Sequence, residues 1–347
     1  MSAGTHAAAA LRPKLEAYLA ARLEAPELRI VALWRVPGGA SRETWIVEAD
    51  LPGDPPRRRA FVIRRDPPAS LLESDRELEF AFYRAFAGSA VPVPRALWLE
   101  RDPNVLGSPF FVMERIDGCE ASPRRVIEPS FDSARPRFAR AMYEILAAIH
   151  TFDWRATPIP DVVEVPAPEE CWRRELEHWE RVIDEQELSP QPVVRAGIRW
   201  LRANPPPPPA RVTVVHGDFR VGNLLFTPEG EIRGVLDWEM AHVGDPLEDL
   251  AWSFLENWEW ARDGLKGGVI AAEEAIAIYE AASGIQVDRN ALHWWEVFSS
   301  VKAQAIWLTG ARSFQEGRST ELIHAMTAYW LTNFQDEVLL RSLGRAP

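Results

Sequence analysis

Cysteine is nearly absent from this chain. Only Cys119 and Cys171 occur in 347 residues, enough for one bridge and in no metal-ligand spacing, which excludes a disulfide scaffold and points to a reducing compartment. Positive charge is also scarce. The 39 basic residues against 51 acidic ones leave a net charge of -12, whereas nucleic-acid and anionic-membrane surfaces need clustered positive charge. No nucleic-acid or membrane partner is expected, and a small neutral or cationic one is easier to accommodate. Long hydrophobic runs are missing, because charges or prolines interrupt every stretch short of the roughly 18 residues that span a bilayer. The first residues show no basic leader followed by an apolar run and a cleavage site, so a cytoplasmic enzyme is the expectation. What is present is core material: 47% of residues are apolar and 26% charged, suited to a large folded chain of two lobes.

The amino-terminal stretch places Leu15, Leu19 and Leu23 on one helical face. From Ile30 to about Met113 the chain reads as strands and turns. RIVALWRV, ETWIVEA and AFVIRR are the first three strands, with P-G-G-A-S-R after the first and a Pro/Gly/Arg-rich turn at residues 52–59 after the second. Residues 73–87 put Leu78, Phe82 and Phe86 at i, i+4 and i+8, the stripe of an amphipathic helix. VPVPRALWLE and SPFFVMERI are two further strand-like runs. Beyond Asp117-Gly118 the pattern turns helical. Phe138–Phe152 carries Met142, Ile145, Leu146 and Ile149 at helical spacing, and residues 170–184 repeat the habit. Pro205–Pro209 reads as a stiff extended spacer. These features predict an α+β chain: a helical extension at 1–29, a small antiparallel β lobe with one helix at 30–114, and a larger, mainly helical lobe at 115–347.

Residues 214–252 hold the polar residues spaced for chemistry. His216-Gly217-Asp218, Asn223 five residues after the aspartate and Asp237 fourteen after the asparagine put two carboxylates and an amide on loops at strand ends. Hard oxygen donors of this kind suit magnesium, which binds through one or two protein oxygens plus substrate phosphates. Apart from His216 and His242, the nitrogen and sulfur ligands that zinc prefers are lacking.

The wording H-G-D-F-R-V-G-N, V-L-D-W-E and G-D-P-L-E-D-L-A resembles the catalytic and metal loops of the aminoglycoside phosphotransferase family, relatives of choline kinases and protein kinases. V-P-V-P-R, V-L-G-S-P-F-F-V-M-E, L-A-A-I-H and W-E-V-F-x-x-V-K are closest to a subgroup similar to the kinase-like domain fused to some acyl-CoA dehydrogenases. The resemblance spans residues from about 30 to 335 and implies a bilobal, protein-kinase-like fold with ATP and magnesium between the lobes. It implies Asp218 as general base, and Asn223 and Asp237 as metal ligands. The Gly38-Gly39-Ala40-Ser41 turn would cover the phosphates. Met113, Glu114 and Ile116 would form the adenine hinge. Where the kinase strand lysine is usual, this chain has Arg64, so the phosphate contact would come from a guanidinium fork. Glu79 is the expected helix partner of Arg64, with Glu77 as the alternative. The implied activity is transfer of the ATP γ-phosphoryl group to a hydroxyl of a small molecule, a hydroxyacyl or an aminoglycoside-type compound.

Other residues stay open at this level. Arg220 fits either a role beside Asp218 and the transferred phosphate or a structural pairing. His216 reads as an orienting residue rather than a nucleophile or ligand. Asp245 and Asp249 read as structural groups at a helix start, with substrate binding as the alternative. Of 15 tryptophans, 12 follow residue 150, as core or as an aromatic cleft. Two other functions use the same residues: a nucleotide-binding pseudokinase marked by Arg64, and a magnesium-dependent phosphohydrolase with water as acceptor.

Overall fold

Apolar residues alternating with polar ones build the first sheet. The computed structural model of the chain describes residues 3–36, 43–53, 55, 57–65, 76–319 and 321–344. Strands β1 (Arg29–Arg35), β2 (Glu43–Leu51), β3 (Arg57–Arg65), β4 (Ala96–Glu100) and β5 (Phe110–Glu114) form an antiparallel sheet of order β1-β2-β3-β5-β4. In β2 every second side chain, Trp45, Val47, Ala49 and Leu51, is buried. Against that face helix α1 (Ala3–Arg22) lays Leu11, Leu15 and Leu19, beside Phe61, Ile63, Phe110 and Val112. Each leucine so buried contributes roughly 1.5–3 kcal/mol, so the first helix is part of this core. The turn expected over residues 52–59 is shorter than that, because β3 already begins at Arg57. The cross-strand pair between Arg58 Nε and Asp50 Oδ1, at 2.8 Å, sits on the solvent side and lets the arginines join the ladder.

Helix α2 (Arg76–Phe86) differs from its expected stripe. Phe82 and Phe86 are buried, but Leu78 is only half-buried, and Glu79 lies on the inner face fully buried. Apolar periodicity could not foresee a buried carboxylate, which requires an opposite charge from another element. After β4, the short helix α3 (Pro103–Leu106) starts on the side chain of Asp102 and ends at Gly107, whose φ of 92° falls in the left-handed region.

The chain divides into two compact units. One is Met1–Arg84 with Pro94–Asp117; the other is Ala85–Val93 with Gly118–Pro347. The second contains helices α4 (Arg135–Thr151), α5 (Ile159–Val162), α6 (Cys171–Gln186), α7 (Pro192–Ala203), α8 (Leu247–Ser253), α9 (Ala272–Ser283), α10 (Arg289–Gln315), α11 (Leu322–Met326) and α12 (Thr332–Ser342). It also holds two small ribbons, β6 (Thr213–Val215) with β9 (His242–Gly244), and β7 (Leu224–Phe226) with β8 (Ile232–Val235). Helix α10 is the axis. It packs on α6, α7, α8 and α12 and buries most of its side chains between Ala291 and Ser313, so its apolar residues run around the helix rather than along one stripe. Its start is capped by Asp288, whose carboxylate accepts from the amides of Asn290 and Ala291. The five prolines are irregular chain leading into β6. Among the described residues no helix is long and apolar enough to cross a membrane.

Candidate active site

In the second unit the loop from β6 to β7 carries His216, Asp218, Arg220 and Asn223, and its backbone is tied down before its side chains are. Gly217 has φ 81°, and a Cβ there would overlap the carbonyl oxygen of Met240. Only glycine fits both demands. The amides of His216 and Gly217 donate to the Asp249 carboxylate at 2.6 and 2.9 Å. Asp249 comes from α8 and is itself steadied by His150 Nε2 at 3.3 Å, while His150 Nδ1 faces the Tyr279 hydroxyl at 2.7 Å. Burial alone would raise the Asp249 pKa. The hydrogen bonds from His150 and the His216 amide outweigh it and hold the carboxyl below the usual carboxylate range. The carbonyl of Gly217 accepts from Lys302 Nζ at 2.7 Å.

His216 is an orienting group with a fixed tautomer. Its Nδ1 accepts from the Asp218 amide at 3.1 Å and its Nε2 faces the Leu236 carbonyl at 2.9 Å, so Nε2 carries the proton. Burial pushes its pKa down, despite Asp249 and Asp218 nearby. The ring is neutral and lies against Trp238, which stacks on Phe86.

The Asp218 carboxylate is held by three donors. Trp252 Nε1 and Arg220 Nε reach Oδ1 at 2.7 and 3.0 Å, and Asn223 Nδ2 reaches Oδ2 at 2.7 Å. Asn223 Nδ2 also donates to the Asp218 carbonyl at 2.9 Å. With the side-chain nitrogen so engaged, the side-chain oxygen Oδ1 of Asn223 is the atom left over for a ligand. Asp237 follows directly. Its neighbour Leu236 donates from its amide to the Asn223 carbonyl at 2.8 Å and accepts from His216. Asp237 itself has φ 67° and ψ 59°, a left-handed conformation that costs a non-glycine residue roughly 1–2 kcal/mol and concentrates at functional sites. The Leu236–Asn223 backbone bond brings Asn223 close in the fold to the residue before Asp237, and an amide oxygen with a carboxylate is the hard-oxygen chemistry that fits magnesium.

Behind the loop lies an ion network that the sequence did not disclose. Lys302 Nζ pairs with Glu248 Oε1 at 2.8 Å, and His242 Nε2 with Glu248 Oε2 at 3.1 Å. His242 Nδ1 faces the Met240 carbonyl at 3.0 Å, so both ring nitrogens donate. Burial opposes that charge, but Glu175 and Glu248 push the pKa up to about 10. Glu175, His242 and Glu248 lie close enough to share a metal ion, yet Lys302 and the imidazolium already neutralise these carboxylates.

In the first unit Arg64, on β3, has Nη2 at 3.1 Å from Oε1 of the buried Glu79, whereas Glu77 lies against Arg101 at the surface. Met113 ends the buried part of β5. The amides of Glu114 and Arg115 are used by the carbonyls of Arg95 and Ala60, and the Glu114 side chain pairs with Arg95 and Arg59. Gly38, Gly39, Ala40 and Ser41 lie outside the described residues.

Residues 33–287 match the pattern of the phosphotransferase enzyme family. The chain belongs to that family. Mouse acyl-CoA dehydrogenase family member 10 is 32% identical over 295 residues, covering 76% of this chain and 26% of that protein. Chicken acyl-CoA dehydrogenase family member 11 is 29% identical over 265 residues, covering 72% and 33%. The chain thus spans between a quarter and a third of the length of these relatives. Among solved structures, an aminoglycoside phosphotransferase-like protein of Ralstonia eutropha superposes with a TM-score of 0.71 at 23% identity, over 96% of this chain and 98% of that one. A thermostable mutant of aminoglycoside phosphotransferase APH(4)-Ia, in a ternary complex with AMP-PNP and hygromycin B, gives 0.59 at 18% identity over 95% and 98%. These likenesses establish the α+β, protein-kinase-like fold of the phosphotransferase family for this chain.

Two residues at the site carried no expected role, Trp252 and Lys302. Lys302 closes the W-E-V-F-x-x-V-K run, and a lone lysine in an otherwise apolar helical stretch was the available signal. Trp252 is one tryptophan among 15 and had none. Asp249 serves the backbone of the β6–β7 loop rather than its own helix start, while Asp245 does cap locally, accepting from the Leu247 amide at 2.9 Å.

Proposed function

We propose that this phosphotransferase moves the γ-phosphoryl group of ATP, with magnesium, to a hydroxyl of a small molecule. The observation that carries this reading is the Asp218 carboxylate, fixed by Trp252, Arg220 and Asn223, on a loop whose Asn223 backbone is bonded to Leu236, the residue before Asp237. In the reaction Asp218 takes the proton of the acceptor hydroxyl. The acceptor oxygen bonds to the γ-phosphorus as the bond to the β,γ-bridging oxygen breaks and ADP leaves. Arg220 steadies Asp218, and its charge would also serve the transferred group. Asn223 and Asp237 would hold magnesium, which when bound neutralises phosphate charge. His216, neutral and doubly bonded, keeps the loop in register rather than moving protons.

For the nucleotide, Arg64 supplies the phosphate contact and Glu79 fixes its direction. Gly38, Gly39 and Ser41, which lie outside the described residues, would cover the phosphates. The backbone around Met113, Glu114 and Ile116 receives the adenine; with the Glu114 and Arg115 amides occupied, the Ile116 amide is the donor for that contact. A hydroxyacyl acceptor is favoured by relatives named as acyl-CoA dehydrogenases, an aminoglycoside-type one by the structure containing hygromycin B. The low cysteine count supports a cytoplasmic setting.

Calorimetric titration with ATP, with and without magnesium, tests the reading. Saturable binding that needs magnesium supports it, and screening hydroxyacyl thioesters and aminoglycosides for phosphorylation follows. Absence of binding under both conditions overturns it, and Arg64 would then mark a clamp that has lost its nucleotide.

A further inference from the structure

We propose that Trp252 is a positioning residue for the base: together with Arg220 it fills Asp218 Oδ1 and so leaves Oδ2 as the oxygen that takes the acceptor's proton. This rests on Asp218 being the base. Each carboxylate oxygen offers about two lone-pair sites. Oδ1 receives two donors, the Trp252 indole at 2.7 Å and the Arg220 guanidinium at 3.0 Å. Oδ2 receives one, the Asn223 amide at 2.7 Å, and keeps the other site for a hydroxyl.

The indole is built to hold that direction. Trp252 is 2% exposed and sits on α8 three residues after Asp249, so one helix turn fixes both the backbone and the carboxylate of the loop. Its carbonyl accepts from Trp258 Nε1 at 2.9 Å, and the Trp258 ring centroid lies 4.8 Å from the Arg220 guanidinium carbon. Trp258 therefore braces both donors to Oδ1. Lys302 Nζ lies 4.9 Å from the Trp252 ring centroid. A cation over the indole face draws electron density from the ring and strengthens the N–H as a donor. A tryptophan serving only as core filling needs neither a charged acceptor nor a buried ammonium on its face.

The test replaces Trp252 by 3-benzothienylalanine through amber suppression, which puts sulfur in place of N–H at nearly constant shape, and by phenylalanine as a second variant. Turnover is followed with magnesium and labelled ATP, using the fastest acceptor from a panel of hydroxyacyl thioesters and aminoglycosides, or water. Loss of a hydrogen bond to a charged group predicts a fall in kcat of about tenfold or more in both variants. KM for ATP and for the acceptor should stay within about twofold, as expected when only transition-state positioning is lost. Wild-type kcat in the benzothienyl variant, with Asp218→Asn inactive, overturns the role of Trp252 alone. A matching loss of ATP affinity also overturns it, since that is how a packing defect behaves. Full activity of Asp218→Asn, or no transfer by the wild-type protein to any acceptor or to water, overturns the base and this proposal with it.

Discussion

Lys302, from the middle of α10, donates to the carbonyl of Gly217 at 2.7 Å across 85 residues of sequence. The same ammonium pairs with Glu248 at 2.8 Å, both side chains being about 1% exposed. One buried cation thus joins the longest helix, the helix that carries Asp249 and Trp252, and the backbone of the loop that carries Asp218. A charge so deeply buried is tolerated only because every proton finds an acceptor or a ring face.

Lys302→Met should therefore destabilise the fold by about 3–5 kcal/mol, the usual cost of leaving one member of a buried pair uncompensated. Adding Glu248→Gln should recover part of that loss. Urea unfolding of the two single variants and the double variant measures the coupling. Strict additivity of the two losses would show that Lys302 and Glu248 do not act as a pair.

Asp218 and Asp237 should separate in their effects. Asp237 is left-handed, so an alanine there adds a backbone penalty, and asparagine, which tolerates that conformation, is the cleaner change. Asp237→Asn should weaken magnesium-dependent ATP binding about tenfold or more. Asp218→Asn should leave binding within about threefold and lower turnover by about 10²–10⁴. Calorimetry and a phosphoryl-transfer assay on the same preparations decide it, and equal losses of binding in both variants would contradict the division of roles.

Much of this site is written in neighbouring residues, which is why it was legible. His216, Asp218, Arg220 and Asn223 fall within one short loop, and a loop so constrained brings its own members together. Asp237 joins them through one ribbon, the pairing of β7 with β8. The residues that tie this loop in place come from farther away. Trp252 is 34 residues from Asp218 and Lys302 is 85 from Gly217. Nothing local distinguishes that indole from the other tryptophans of the core. The same limit applies to α2, where apolar spacing selected Leu78 but burial follows Glu79, because Arg64 on β3 supplies the compensating charge. The strands were legible because alternation is a property of each strand by itself, as in β2.

Two glycines of the loop should behave oppositely. Gly217→Ala meets both a positive φ of 81° and the Met240 backbone, so a loss of about 2 kcal/mol or more is expected, with the activity. Gly222→Ala meets first the end of the Arg220 side chain, which can move. It should fold with a stability within about 1 kcal/mol of wild type while displacing Arg220 from Asp218, so kcat falls and the melting temperature hardly changes. Thermal melts beside kcat for the two variants check this, and similar melting temperatures for both would refute the distinction.

The last expectation concerns pH. Asp245 is 3% exposed, and burial raises its pKa from 3.8 to about 6, opposed in part by the Leu247 amide. Its folded pKa lies above its unfolded one. Between those values the native state holds a proton that the unfolded chain has released. Stability from this group is complete below pH 3.8 and is lost as pH rises through about 6. The loss is on the order of 2–3 kcal/mol at neutral pH. Asp245→Asn keeps an oxygen for the Leu247 amide and removes the titration. Measured by urea unfolding, its stability relative to wild type should grow by that amount between about pH 4 and pH 7, since every other titrating group is common to both proteins. A difference that stays flat across this range would mean that Asp245 ionises as easily folded as unfolded, and that its burial is relieved by contacts beyond the Leu247 amide.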